Sequence, residues 1–259
     1  MPSRLLIPVL LVVLGLVGAG LAQAEFGQDG NVRISFSGDF SPHSLPRHRL
    51  APVTIDVEGS IGTTDGTHPP AVRRIEIAIN RHGRLSTEGL PACSGPRLQS
   101  TSSETALKRC RPALVGRGRF GADVDFPNSE PVLATGTLLA FYGKSDGKRA
   151  LLLHLYVTTP VRTTFVLPLT ISNRGSNLFG TILSAKIPTL AGGLGSVTQI
   201  DLTIGRNYSF RGQRRSFISA SCPAPAGFPG AVFSLARGSF YFADGKKIET
   251  TLSRDCRVR

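Results

Sequence analysis

The residues of this chain best equipped for chemistry concentrate in "ACSGPRLQSTSSETALKRCRPALVGRGRFG", residues 92 to 121. The stretch holds Cys93 and Cys110, two of the four cysteines, and a literal G-x-G-x-x-G at Gly116, Gly118 and Gly121. Such glycines cradle a dinucleotide only when a strand precedes them and a helix follows, so that the pyrophosphate meets the helix N-terminus. Here a helix-like stretch and Pro112 come first and "RFGADVDFP" comes after, so the glycines are expected to mark a strand edge or bulge. The cysteine spacing matches neither a C-x-x-C redox motif nor paired zinc knuckles. An even count in an exported chain implies disulfides. Of the three pairings open to four cysteines, Cys93–Cys110 with Cys222–Cys256 is the expected one, because each bond then staples a single excursion. In the chain-entropy description, closing the first loop is worth about 3 kcal/mol.

Elsewhere the chemical signals are weak. His43 and His48, with Asp39 and His68 close in sequence, would bind a metal only if their loops converged, and no H-E-x-x-H occurs. His154 sits in an apolar run and reads as a satisfied core or interface side chain. "DVDFPN" offers Asp123, Asp125 and Asn128 to a hard cation, yet lacks the glycine turn and terminal glutamate of a calcium loop. Ser145-Asp-Gly-Lys148 is a literal S-x-x-K, but it falls on a hairpin turn, and the companion K-T-G and S-D-N are absent. No G-x-S-x-G elbow occurs. Asp56, Glu58, Glu76 and Asp201 fall on expected strands, where surface alternation accounts for them as well as a glycosidase pair would. "GRNYSFRGQRRSF" is the densest basic-aromatic segment, with Arg206, Arg211, Arg214 and Arg215 around Tyr208 and Phe210. It is the candidate surface for an anionic ligand.

The start of the chain gives these residues an address. "MPSRLLIPVLLVVLGLVGAGLAQA" has a basic end at Arg4, an apolar stretch from Leu5 to Leu21, and a small-x-small site at Ala22-Gln23-Ala24. Cleavage after Ala24 is expected, with Glu25 beginning a secreted, mature chain. The apolar stretch is slightly short for a bilayer span and contains Pro8, Gly15, Gly18 and Gly20, so no stable membrane anchor is expected after cleavage. The net charge of +13 comes from 24 arginines and six lysines against 17 acidic residues. It favours a polyanionic partner.

Strands must position the candidate residues. "VRISFSG", "VTIDVEG" and "RRIEIAIN" alternate apolar and polar residues, as half-buried strands do. "PVLATGTLLAFYG" and "KRALLLHLYVTTP" flank Asp146-Gly147, the residues of a tight hairpin turn. Further runs follow to "AVFSLARGSFYFADGKKIETTL", which turns at Asp244-Gly245. The fold class expected is all-β: one antiparallel sandwich or jelly roll over residues 25–259, partly irregular to about residue 52. One short helix is expected inside the Cys93–Cys110 loop. It would open with a capping box at Thr101 and Glu104, carry Lys108 and Arg109 near its C-terminal end, and stop at Pro112.

The segment "ACSGPRLQSTSSETALKRCRPALVGRG" resembles a module of uncharacterised secreted actinobacterial proteins. In these, a cysteine, a short helix and a second cysteine lead through small-x-Val-Gly-x-Gly into a strand. The positions matched are Cys93, Cys110, Val115, Gly116 and Gly118, within about residues 90 to 122. The resemblance implies export and an all-β fold, and it brings no activity. The function expected is non-catalytic binding or a structural role in the envelope or extracellular space. The alternative is a secreted hydrolase of glycans or envelope polymers with its site assembled across strands. No catalytic residue, metal or cofactor is nominated. The expected partner is an anionic envelope polymer or glycan, and nucleic acid is not expected.

Overall fold

Period-two alternation carries most of the architecture, because one face of each strand is apolar and the other polar. The computed structural model describes residues 25–124, 132–159, 161–173, 176, 178–188 and 195–259. Its strands in chain order are β1 (Glu25–Asp29), β2 (Val32–Ser41), β3 (Ser44–Leu45), β4 (Ala51–Pro52), β5 (Thr54–Thr63) and β6 (Val72–Asn80). Then come β7 (Gly83–Leu85), β8 (Cys93–Ser94), β9 (Leu114–Val124), β10 (Val132–Ser145), β11 (Lys148–Val157), β12 (Thr163–Ser172) and β13 (Phe179–Lys186). The last are β14 (Gly195–Ile204), β15 (Asn207–Phe210), β16 (Gln213–Ser216), β17 (Ile218–Ala220), β18 (Gly230–Phe242) and β19 (Lys247–Val258). Helices α1 (Gly95–Leu98) and α2 (Ser103–Cys110) and the 3-10 turn Arg111–Ala113 lie between β8 and β9.

The all-β class is borne out, with a particular construction. A single sheet runs β1-β2-β5-β14-β9-β10-β11-β12-β13-β6-β18-β19-β3, and its middle is a consecutive antiparallel meander from β9 to β13. The two facing layers of a sandwich are both supplied by this sheet, which curls until its ends meet. Val32, Ile34 and Phe36 of β2 pack on Phe240, Phe242, Ile248 and Leu252 of β18 and β19. The Phe36 and Phe240 rings meet edge-on at 6.1 Å. The larger core fills the rest of the curl with Leu138, Ala140, Leu151, Leu153, Leu155, Phe217 and their neighbours. Two small sheets complete the fold, the β15-β16 hairpin and β4-β17-β7. Irregular chain before β5 is confined to residues 42–53, since β1 and β2 are regular strands.

Turn chemistry sets the hairpins. Asp146 (φ 49°) and Gly147 (φ 73°) both adopt the left-handed conformation that a two-residue turn between β10 and β11 requires. The glycines of "VGRGRFG" lie inside β9, flanked by β10 and β14, and not at a sheet edge. The expected bulge lies in β9 itself, where Val115 is the extra residue between Gly116 and Leu114, which stand opposite Ala140 and Phe141 of β10. A Cβ on Gly118 would be driven into the carbonyl oxygen of Asp201, so this glycine permits close approach of β14.

Candidate functional site

Both disulfides join the expected partners, Cys93 to Cys110 and Cys222 to Cys256, with Cα atoms 5.6 and 5.7 Å apart. The first closes a two-helix module over the outer face of β10 and β11, where Leu98, Ala106 and both half-cystines bury Leu139, Phe141, Ala150 and Leu152. The expected capping box of Thr101 and Glu104 does not form, and the N-cap lies one residue later. Ser102 is the N-cap of α2 and its hydroxyl accepts from Thr105 N, while Glu104 pairs with Lys108 at 2.7 Å. Thr101 is buried instead and latches the module to the sheet. Its carbonyl accepts from His154 Nε2 at 3.0 Å and from Thr164 Oγ1 at 2.8 Å. Burial holds the His154 imidazole below the ordinary histidine range, against the hydrogen bond to Thr101, which acts the other way. Sequence alone placed His154 in the core but could not supply Thr101 as its partner, 53 positions away.

The arginine segment folds as the β15-β16 hairpin, and its four arginines separate into two roles. Arg206 Nη1 donates to the carbonyls of Arg111, Pro112 and Leu114 at 3.3, 2.7 and 2.8 Å, fastening the hairpin base to the end of the disulfide module. Arg215 pairs with Glu88 at 3.7 Å and is partly buried. Tyr208 donates to the Glu88 carbonyl at 2.7 Å, and the Phe210 ring lies against Gly89. Arg211, at the turn with φ 51°, and Arg214 are left exposed. The Arg211 guanidinium stands 5.1 Å from the Phe210 ring centre. At the module end, Arg97 and Arg109 each donate to the other's backbone carbonyl. Arg111, whose carbonyl Arg206 grips, is exposed. The module and the hairpin therefore form one basic surface, a junction that their separation in sequence conceals.

The remaining candidates scatter. His43 Nε2 lies 3.2 Å from Asp39 Oδ2, and the other oxygen of Asp39, Oδ1, faces the buried Arg254 at 4.0 Å. His48 is exposed and does not join them. His68 Nε2 instead meets Ser196 Oγ at 3.2 Å, and His82 Nδ1 meets Ser221 Oγ at 3.2 Å. Burial, then the charge of Arg81, lowers the His82 pKa from its ordinary value. His82 and Ser221 border a mostly apolar crevice with Phe40, Val53 and Ile218. Among the described residues no carboxylate is hydrogen-bonded to the imidazole of either Ser–His pair. Asp56, Glu58 and Asp201 share the outer face of β5 and β14, with Glu58 directly opposite Asp201 and Asp39 opposite Asp56. Thr203 donates to Asp56 at 2.6 Å. Glu76 lies apart on β6, opposite Ser239. It receives the Tyr241 hydroxyl at 3.3 Å, and the Arg74 guanidinium stacks 3.8 Å from the Tyr241 ring centre. Ser145 and Lys148 end β10 and begin β11 around the turn. Asp125 and Asn128 lie outside the described residues, where Asp123 alone can be placed, opposite Leu133. Among the described residues no three His, Cys, Asp or Glu side chains gather as a metal would require. No family model, curated protein or solved structure matches the chain.

Proposed function

We propose that the chain is an exported, non-catalytic protein that holds an anionic envelope polymer against its basic hairpin. The observation that carries this reading is the division of labour among the hairpin arginines. Arg206 and Arg215 are spent on the fold, which fixes the hairpin on its base and leaves the Arg211 and Arg214 guanidiniums facing water. A rigidly mounted guanidinium gives up less freedom when it meets a phosphate, sulfate or carboxylate. Tyr208 and Phe210 are turned onto the Glu88–Gly89 segment, which favours charge contacts over base stacking at this hairpin. The leader-like residues 1–24 and the two disulfides support an oxidising destination outside the cytoplasm. The resemblance of residues 90 to 122 to secreted actinobacterial proteins points the same way.

Retention of the mature protein on an immobilised polyanion, eluted along a salt gradient, tests the reading. Arg211→Ala with Arg214→Ala should elute at clearly lower salt, with severalfold weaker binding and an almost unchanged thermal midpoint. Lys144→Ala with Lys148→Ala removes the same charge from another exposed site and should elute near wild type. Equal elution of both double variants would reduce the interaction to net charge and remove the hairpin as a site.

A further inference from the structure

The second disulfide anchors a turn whose construction has no evident structural purpose. Residues 225–229 are all exposed, and they follow Cys222, which is stapled to Cys256 of β19. Pro225 begins a turn in which Phe228 N donates to the Pro225 carbonyl at 3.2 Å and Gly227 takes φ 84°. Arg47 fixes it from the side, donating to the carbonyls of Ala224, Pro225 and Phe228. Backbone bonds from Cys222 N to Pro46 O and from Val258 N to Pro229 O close both flanks. What this rigid turn presents is apolar: Phe228 is 61% exposed and Val232, at the start of β18, is 76% exposed.

Basic residues lie on the neighbouring strand and on the segment tied to the turn. Arg257 lies opposite Gly230 on the same face as Val232, and Arg259 is bonded through its backbone N–H to Leu45. Arg49 and the 44% exposed Leu50 end the segment that Arg47 ties to the turn. Asp255, opposite Val232, is the acidic residue beside them. We propose that this turn is a membrane-contact wedge, which dips Phe228 and Val232 into the headgroup layer of an anionic lipid surface while Arg257 and Arg49 meet the headgroups. The exposed apolar tip fits a lipid interface, which needs no preformed pocket, and the charge of the chain (+13) complements an anionic one. Rigid mounting lowers the ordering cost of insertion. The contact is peripheral and reversible, and it does not depend on the polymer reading.

The chain contains no tryptophan, so Phe228→Trp places a single reporter at the tip. With vesicles of equal parts phosphatidylglycerol and phosphatidylcholine, its emission should shift to the blue and be quenched by brominated acyl chains. Pure phosphatidylcholine should produce little of either. In flotation, Phe228→Ser with Val232→Ser should lower partition into the mixed vesicles by about tenfold. Both side chains are exposed, so the thermal midpoint should hold. Absence of a spectral shift, equal flotation of wild type and double serine variant, or equal partition into both vesicle types would each overturn the wedge. Retention of the serine variant on the polyanion should be unchanged, which separates failure here from failure of the hairpin site.

Discussion

His154 shows how a single side chain couples burial, packing and pH. It is fully buried, it donates to the Thr101 carbonyl, and its ring lies 6.5 Å from that of Tyr156. Because burial depresses its folded pKa below the value of about 6.5 in an open chain, unfolding takes up a proton. Stability from this group is therefore complete above about pH 6.5 and declines as the pH falls below it. The carboxylates whose pKa values are lowered by partners, such as Glu249 by Ser239 and Lys247, have the same sign but act in a separate window below about pH 4.5. Thermal midpoints measured between pH 7 and pH 5 should fall for wild type and fall less for His154→Gln, with the residual slope due in part to His82. An identical slope in the variant would show that His154 does not carry this dependence. The apolar run around His154 made its burial legible in the sequence. Its partner was not legible, because "TSSE" suits a capping box starting at Thr101, whereas the docking of α2 on β11 makes Ser102 the N-cap and turns Thr101 to His154.

At the scale of elements, the legible features were those with a local physical signature. Alternation located β2, β5 and β6, and Asp146-Gly147 located the turn between β10 and β11. In sequence the glycine run of β9 suits an edge or a bulge; the bulge adjoins Gly116 and the edge is absent, because a missing Cβ looks the same whether a strand is exposed or pressed between two neighbours. Gly118 discriminates. Alanine there would meet the Asp201 backbone of β14, which cannot swing aside as a side chain could. Gly118→Ala should cost at least about 2 kcal/mol in denaturant unfolding. Gly62→Ala on β5, where no atom lies within 4 Å of the added carbon, should stay within about 0.5 kcal/mol of wild type. Comparable losses at both sites would mean that strand propensity, and not close approach, sets the requirement. The arginine segment was equally ambiguous in sequence. The role of Arg206 depends on carbonyls 92 to 95 positions earlier, which no local pattern reports.

For the whole molecule, what the sequence could not convey is that the two layers belong to one sheet, since alternation states which face is buried but not what covers it. The cover is the far end of the same sheet, and β1 stands where the ends meet. It pairs with β2 from Glu25 opposite Phe36 to Asp29 opposite Val32. On its other side Gly27 is pressed so closely against Ile248 of β19 that a side chain would clash. Glu25 is also the residue that cleavage after Ala24 would leave first, so removal of the leader and completion of the curl would be adjacent events in the chain. A mature protein beginning at Asn31 should therefore fold with an open seam, leaving β2 as an unpaired edge and uncovering Ile248. Its thermal midpoint should drop on the order of 5 °C, and light scattering should reveal association through the exposed edge. The two disulfides should survive in both forms, since neither touches β1. An unchanged midpoint with no scattering would show that the curl closes on core packing between β2 and β19 alone, leaving β1 as an ornament of the seam.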